Sequence, residues 1–274
     1  MSPRTISAIL ACATVAACGG TSVGSPAPAG TTSEAPAPKG DWSCVSLVTA
    51  DEARVRTEVS TPPASEAFNL YFVEAYSDKG LPGLTVTACS ELDTVCASPI
   101  ATAKADAYGG ATLSVPGGLP AFGGYLKITY PGMPDNYLFH AGASVAPGAT
   151  SLDVVVYTAV ATVLTYDQVG LPVDLQHGLV GIRAVDCSGA PAIGVELSFE
   201  TDHSGALVTA YSTGGGATVS RMATVTDATG AAYLFDVPPG AIGIVGRLDG
   251  APAVEGLGFA YAGAITSVVV RPAE

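Results

Sequence analysis

The sequence predicts an all-β protein in which two tandem antiparallel β-sandwich domains follow a signal peptide and a disordered tether. First, the 274-residue chain contains 33 glycines and 20 prolines, and it is 48% hydrophobic and only 13% charged. This composition favours strands joined by tight turns over helices. Second, apolar and polar residues alternate with period two in short segments, as in half-buried strands. Third, the same order of turns and strands occurs twice, and the chain length suits about two domains.

Residues 1–17 have the features of a secretory signal peptide: a positive charge at Arg4 and then an apolar stretch from Ile6 to Ala17. About a dozen apolar residues are too few to cross a ~30 Å hydrocarbon core as a mature helix. The motif VAAC, which ends at Cys18 and precedes two glycines, resembles the lipobox of bacterial lipoproteins. The resemblance implies cleavage before Cys18 and acylation of its thiol, with palmitate as an expected acyl group. The alternative is an ordinary cleavable signal in which Cys18 has no role.

Residues 18–40 consist almost entirely of Gly, Ser, Thr, Pro and Ala. Such a segment cannot bury enough apolar surface to offset its ordering entropy, so we expect a lipid-bearing tether, which residues 41–66 connect to the first domain. The predicted partner at this end is a membrane, and Gly19 after the acylated cysteine is compatible with the outer membrane. The net charge of −13 argues against a nucleic-acid partner, because it repels phosphate backbones.

Two stretches share one plan: AYSDKGLPGLTVTA at 75–88 and AVDCSGAPAIGVELSF at 184–199. Each has an Asp turn, a Gly, a Pro, a second Gly and then a strand of alternating residues. The repeat predicts sandwich domains over 67–157 and 178–274, joined by a linker over 158–177 that can form a short helix. The core-facing residues are predicted to be Leu84, Val86 and Ala88 in the first domain and Val195, Leu197 and Phe199 in the second.

The order of these turns and strands resembles the carboxypeptidase regulatory-like domain, a transthyretin-like sandwich of the broader Ig-like type. The resemblance covers most of 67–157 and 178–272. The chain is also similar to tandem lipoproteins of myxobacterial type, in which a tryptophan–cysteine pair such as Trp42-Ser43-Cys44 precedes the first module. The resemblance implies modules that bind, space or support folding, without catalytic residues of their own.

Four aspartate–glycine pairs occur at predicted turns: Asp78 with Gly80, Asp106 with Gly109, Asp186 with Gly189, and Asp227 with Gly230. In such turns the carboxylate accepts hydrogen bonds from nearby backbone N–H groups, and the glycine adopts the positive φ that closes the turn. Asp202 has a similar spacing to Gly205. Since Ca²⁺ needs six to eight oxygen ligands and no Asp-x-Asp-x-Asp run supplies them, we interpret the turns as structural. Calcium held where two turns converge is the alternative.

Four cysteines other than Cys18 follow the signal, and an exported chain meets an oxidising compartment where disulfides form. Cys89 and Cys96 bracket a turn short enough for a disulfide, which contributes about 2.5 kcal/mol by the chain-entropy model. Cys44 and Cys187 are then the remaining pair. A zinc site built from the four cysteines is disfavoured, because the sequence has no Cys-x-x-Cys motif.

Catalytic motifs are absent from the sequence. His140, His177 and His203 lack metal-site spacing, and no Gly-x-Ser-x-Gly nucleophile motif occurs. Residues 180–199 resemble the early strand pair of intradiol dioxygenases, which would imply a ferric site of two tyrosines and two histidines. Those enzymes place His-x-His late in the domain, whereas no histidine follows His203. We therefore predict no catalytic residue, metal or cofactor.

Two features are candidate binding surfaces. The aromatic residues late in the first domain predict core packing, with a carbohydrate-stacking platform as the alternative; they are Phe122, Tyr125, Tyr130, Tyr137 and Phe139. The second domain has an insertion, Gly205 to Met222, whose three glycines at 214–216 predict a flexible loop tip.

The sequence thus predicts a lipid-anchored lipoprotein of the cell envelope, facing the surface or the periplasm, that acts as a non-catalytic binding or spacer module. A glycan or another envelope protein is the expected partner. The alternatives are a purely structural or adhesive envelope component and a metal-dependent enzyme related to transthyretin-fold dioxygenases.

Overall fold

The computed structural model describes residues 40–44, 64–145, 149–201 and 207–272. The predicted signal peptide, most of the tether with Cys18, and the residues Asp202 and His203 lie outside this range. The described chain is dominated by β-strands, which confirms the predicted all-β sandwich class. Within the same residues, none of the helices has the length and apolar character needed to cross a membrane.

The first half of the described chain contains seven strands. They are β1 (Ser65–Glu74), β2 (Thr85–Ser90), β3 (Ala101–Lys104), β4 (Gly110–Pro116), β5 (Gly124–Thr129), β6 (Asn136–Phe139) and β7 (Ser151–Val156). Two short helical turns interrupt them, α1 (Gly118–Ala121) and a 3₁₀ turn (Ala141–Ser144).

A helix, α2 (Ala159–Gln168), occupies the linker, and eight strands follow it. They are β8 (Gly178–Ala184), β9 (Glu196–Thr201), β10 (Val208–Thr213), β11 (Thr218–Ser220), β12 (Ala231–Val237), β13 (Gly240–Leu248), β14 (Ala251–Ala260) and β15 (Ile265–Pro272).

The same pairing plan occurs in both halves. In the first, β1 lies between β4 and β7, while β2, β5 and β6 pair in succession in the facing sheet. In the second, β8 lies between β12 and β15, while β9, β13 and β14 pair in succession. The repeat seen in the sequence is therefore a repeat of strand topology.

The prediction of purely antiparallel sandwiches needs one correction. Each half closes by laying its last strand parallel to its first, since β7 runs parallel to β1 and β15 runs parallel to β8. The chain must cross from one sheet to the other between these strands, and such a crossover is what parallel pairing requires.

Two apolar cores fill the sandwiches. Leu84, directly before β2, and Val86 and Ala88 of β2 are fully or almost fully buried in the first core, as the alternation predicts. Val195, directly before β9, and Leu197 of β9 are buried in the second core, and Phe199 packs against it. The second core also includes four side chains from the first half, which are Cys89, Tyr125, Tyr137 and Phe139.

Helix α2 covers part of the outer face of the second half. It begins at Thr158, whose hydroxyl accepts a hydrogen bond from the Ala161 N–H at 3.1 Å, as a helix N-cap does. Ala161 and Tyr166 pack with Leu179 and Phe235 in a third apolar cluster. The burial of one side of the helix against the sheet therefore offsets the low helix propensity of its β-branched residues.

The two halves are joined through β15, which pairs with β8 on one edge and with β6 of the first half on the other, in parallel both times. We call the β6–β15 contact the seam. It makes the larger sheets of the two halves one continuous sheet, in the order β11-β10-β12-β8-β15-β6-β5-β2-β3.

Asn136 fixes one end of the seam from a site where its side chain is only 4% exposed. Its Nδ2 donates to the carbonyls of Pro134 and Tyr157, and its Oδ1 accepts from the Tyr157 N–H at 2.8 Å. The amide thus satisfies both backbone groups of Tyr157, the residue that follows β7.

We predict that Asn136→Ala lowers the unfolding free energy by about 2–3 kcal/mol, because two backbone polar groups lose their partner in a buried site. Urea unfolding measures this loss. Asn69→Ala is the matched control: Asn69 is exposed and accepts one hydrogen bond, from Thr112, so its loss should stay under about 1 kcal/mol. Equal losses in the two variants would contradict the proposed role of Asn136.

Candidate functional site

The segment before the first sandwich docks on the second. Cys44 forms a disulfide with Cys187, with a Cα–Cα distance of 5.7 Å, so the predicted pair is confirmed. Trp42 packs against the second core, and the Cys187 N–H donates to the carbonyl of Asp41 at 2.9 Å. The covalent loop from 44 to 187 therefore encloses the whole first half.

Asp186 organises this contact with both carboxylate oxygens. Its Oδ1 accepts from the N–H and hydroxyl of Ser188 and from the Ala190 N–H, at 2.7 to 3.0 Å. Its Oδ2 accepts from the Asp41 N–H at 2.8 Å. Burial acts to raise the pKa of Asp186, but the hydrogen bonds from Ser188, Asp41 and Ala190 outweigh burial and hold the pKa below its ordinary value. Gly189 closes the turn with φ +81°.

Asp106 and Asp227 hold the two hairpin turns that correspond in the repeat. Asp106 accepts from the N–H groups of Tyr108 and Gly110, and these bonds lower its pKa. Asp227 accepts from the N–H and hydroxyl of Thr229 with one oxygen. The predicted glycines adopt positive φ, +90° at Gly109 and +66° at Gly230.

Asp78 differs from the expectation for its turn. Its own backbone takes the left-handed conformation, with φ +52°, and its N–H donates to the carbonyl of Glu74. Gly80 is required for another reason: a Cβ there would lie 2.3 Å from the carbonyl oxygen of Tyr108. This turn is therefore closed by backbone contacts and not by the Asp78 carboxylate.

The described part of the insertion, residues 207–222, forms a hairpin with the predicted glycines at its tip. Strands β10 and β11 extend the large sheet, and Gly214, Gly215 and Gly216 make the tight turn between them. The second carboxylate oxygen of Asp227 accepts from the N–H groups of Gly215 and Gly216, at 3.0 and 3.3 Å. A carboxylate distant in sequence thus anchors the glycine turn.

The second disulfide, Cys89–Cys96, is also confirmed, with a Cα–Cα distance of 5.4 Å. Two tyrosine hydroxyls from different halves hold its loop, since Tyr125 donates to the Asp93 carbonyl and Tyr261 to the Thr94 carbonyl, at 2.6 and 2.7 Å. The loop is therefore a contact between the halves as well as a covalent staple.

The aromatic residues of the first half contribute mainly to packing between the halves. Tyr137 stacks on Tyr261 with ring centroids 3.8 Å apart, and Tyr125 stacks on Phe139 at 4.8 Å. Burial raises the pKa of Tyr137 and of Tyr261 well above the ordinary tyrosine value. Phe122 packs against the first core, and Tyr130 is exposed outside the stack.

The two described histidines make separate contacts. The Nε2 atom of His140 lies 2.8 Å from the Leu257 carbonyl oxygen, and Nδ1 of His177 lies 2.7 Å from an Asp174 carboxylate oxygen. Among the residues described by the structure, no group of three or more His, Cys, Asp and Glu side chains could hold a metal ion.

Two cavities open beside the seam. One, of about 330 Å³, is mainly apolar and lies between α2 and the segments around Met133 and Leu175. The other, of about 260 Å³, is lined by β7 on one side and by the outer face of β8, β12 and β15 on the other. We call the second one the β7 cleft. Its polar lining residues are Asp153, Tyr157, Arg183, Ser212, Thr229, Tyr233 and Ser267.

The sequence analysis did not identify Arg183 or the β7 cleft. A single arginine in a strand has no spacing signal, and the cleft exists only because strands distant in sequence face each other. The one available signal is a basic residue within the otherwise apolar strand Gly178–Ala184.

Comparisons with known proteins assign no family. No family model and no curated protein matches the sequence. Among solved structures, the chain is similar to the Bacillus anthracis TIE protein, with 15% sequence identity and a TM-score of 0.21. The alignment covers 76% of this chain and 34% of the TIE protein. It is also similar to the shaft pilin SpaA of Lactobacillus rhamnosus GG, with 13% identity, 77% and 98% coverage, and a TM-score of 0.24.

A third structure is GBS52, the minor pilin of Streptococcus agalactiae, with 11% identity, 76% and 97% coverage, and a TM-score of 0.23. The chain spans about a third of the length of the TIE protein and nearly all of the two pilins. Likeness at this level carries no argument about activity.

We predict that Asp186→Asn lowers stability at pH 7 by about 1–3 kcal/mol, because an amide cannot accept from all the donors that the carboxylate satisfies. The lowered pKa of Asp186 means that its contribution exists above the unfolded-state value of ~3.9 and is lost as pH falls through the folded-state pKa. Urea unfolding from pH 7 to pH 2 should therefore show a shallower acid decline for the variant. Asp78→Asn is the control and should leave the profile unchanged.

We predict that the double variant Cys44→Ala/Cys187→Ala loses about 4–5 kcal/mol of unfolding free energy, because the disulfide spans a sequence separation of 143 residues. Cys89→Ala/Cys96→Ala, with a separation of 7, should lose about 2.5 kcal/mol. Denaturant unfolding of both proteins checks the order, and a larger loss from the short loop would contradict it.

Proposed function

We propose that the protein is a lipid-anchored lipoprotein of the cell envelope whose two carboxypeptidase regulatory-like sandwiches act together as one non-catalytic binding and spacer unit. The observation that carries the proposal is the continuous sheet across the seam, which joins the two halves by backbone hydrogen bonds. A rigid unit suits a protein that presents a surface at a distance from a membrane.

The two disulfides support an exported protein. They join all four cysteines of the described residues in pairs. Disulfides persist in oxidising compartments and are rare in reducing ones. This agrees with the apolar leader and the lipobox-like motif ending at Cys18.

The polar residues singled out in the sequence support a non-catalytic role. The carboxylates of Asp106, Asp186 and Asp227 each accept backbone hydrogen bonds that close a turn. Those of Asp186 and Asp227 also hold a second segment. Their lowered pKa values follow from these structural bonds, so the shifts need no catalytic explanation.

We predict that the protein, expressed in a bacterial host, incorporates a clickable palmitate analogue and that Cys18→Ser abolishes the labelling, because the acyl chain is expected on that thiol. Membrane fractionation should show the same variant released from the membrane. Cys12→Ser is the matched control, since it removes a cysteine from the same leader and should keep full labelling.

Two results would contradict the proposal. Labelling that survives Cys18→Ser would exclude this anchor. Stoichiometric zinc or iron in tag-free protein, measured by elemental analysis, would favour the metal-dependent enzyme instead.

A further inference from the structure

The β7 cleft has an unpaired cation on one wall. Arg183 extends from β8 in register with Ala231 of β12 and Val269 of β15, and all three line the cleft. No hydrogen bond or ion pair of Arg183 occurs within the described part of the chain. The side chain is open to solvent, yet the protein around the guanidinium desolvates it enough to lower its pKa.

Small residues keep the space in front of this guanidinium open. Gly181 lies two residues before Arg183 on the same face of β8, opposite Tyr233 and Ser267. A Cβ at Gly181 would meet its nearest neighbours, Ser267 Oγ and a Tyr233 ring carbon, at 3.8 Å. The glycine therefore leaves room that a side chain could fill without backbone strain.

The remaining polar groups can hydrogen-bond a bound molecule. The hydroxyls of Ser212 and Ser267 line the cleft and have no partner among the described residues. The Tyr233 hydroxyl lies 3.0 Å from that of Tyr157 and keeps spare bonding capacity. Asp153 of β7 faces the cleft from the opposite wall, where it can accept from ligand hydroxyl or amide donors.

We infer that the β7 cleft binds a small carboxylate-bearing molecule, of the size of one sugar or one amino acid, with its carboxylate on Arg183 and its hydrogen-bond donors toward Asp153 and the serine hydroxyls. Arginine pairs with carboxylates through two parallel hydrogen bonds. On a chain of net charge −13, this open guanidinium is a local exception that attracts an anion. The inference rests on the binding role proposed above and names its ligand class.

Two sources supply this chemistry, an acidic sugar and the carboxylate of an amino acid or peptide end. The probes are therefore glucuronate and N-acetylglycine, each paired with a neutral counterpart, glucose and N-acetylglycinamide. The full chain, purified in detergent, is titrated with each probe and binding is followed by ligand-observed NMR or calorimetry.

We predict that at least one carboxylate probe binds roughly tenfold or more tightly than its neutral counterpart, because only the charged probe can form a charge-assisted pair with Arg183. Which probe binds identifies the source. Arg183→Gln should weaken binding by a similar factor, and Gly181→Leu should block it by filling the cleft. Arg221→Gln removes the same charge from an exposed position outside the cleft and should leave binding unchanged.

Thermal unfolding of each variant checks that it is folded. Arg183→Lys keeps the charge but loses the two-point contact, so it should bind with intermediate affinity. Binding of neither carboxylate, or binding that Arg183→Gln and Arg221→Gln affect equally, would overturn the inference. Palmitate labelling does not depend on the cleft, so this failure would leave the lipid anchor standing.

Discussion

The rest of the structure depends on the position of β15. This strand lies between two parallel neighbours, β8 from its own half and β6 from the other, and it also meets β14 at its end. Strands paired on both edges are rich in apolar residues. In β15, Ile265, Val268, Val269 and Val270 are buried, while Ser267 contributes a hydroxyl to the β7 cleft. Without the first half, one edge of β15 would therefore be unpaired.

The corresponding strand of the first half is β7, and its pairing differs. β7 pairs with β1 on one edge only, and its other side faces the cleft. Asp153 and Val155 on β7 are exposed, whereas the equivalent end strand of the second half is buried. The two strands have the same place in the topology of their halves, but only β15 pairs across the seam. The cleft at Arg183 is the space left beside the unused strand, which is why it lies at the junction of the halves and not within either one.

Local patterns in the sequence predicted the parts of this fold that depend on neighbouring residues. Period-two alternation identified the buried faces of β2 and β9, and a seven-residue spacing identified the Cys89–Cys96 disulfide. Most contacts between distant residues escaped this reasoning; the Cys44–Cys187 pair was predicted only as the remainder after Cys89 and Cys96 were paired. The Asp227 carboxylate accepts hydrogen bonds from the glycine turn at 214–216, and in the seam β15 pairs with β6 more than a hundred positions away. No periodicity encodes such a partner, and the isolated Arg183 carries no motif.

The turn carboxylates make different hydrogen bonds in the two halves. Asp106 uses one oxygen for its own hairpin, and Asp78 closes no turn with its carboxylate. Their counterparts Asp227 and Asp186 close their turns with one oxygen and hold a distant segment with the other, the β10–β11 turn in one case and residue 41 in the other. A carboxylate has about four acceptor sites, so a turn leaves spare capacity that a second segment can use. The second half uses that capacity and also receives Cys44 and four core side chains from elsewhere in the chain. The second half therefore receives most of the contacts between distant segments, and a ligand bound at Arg183 would contact this half.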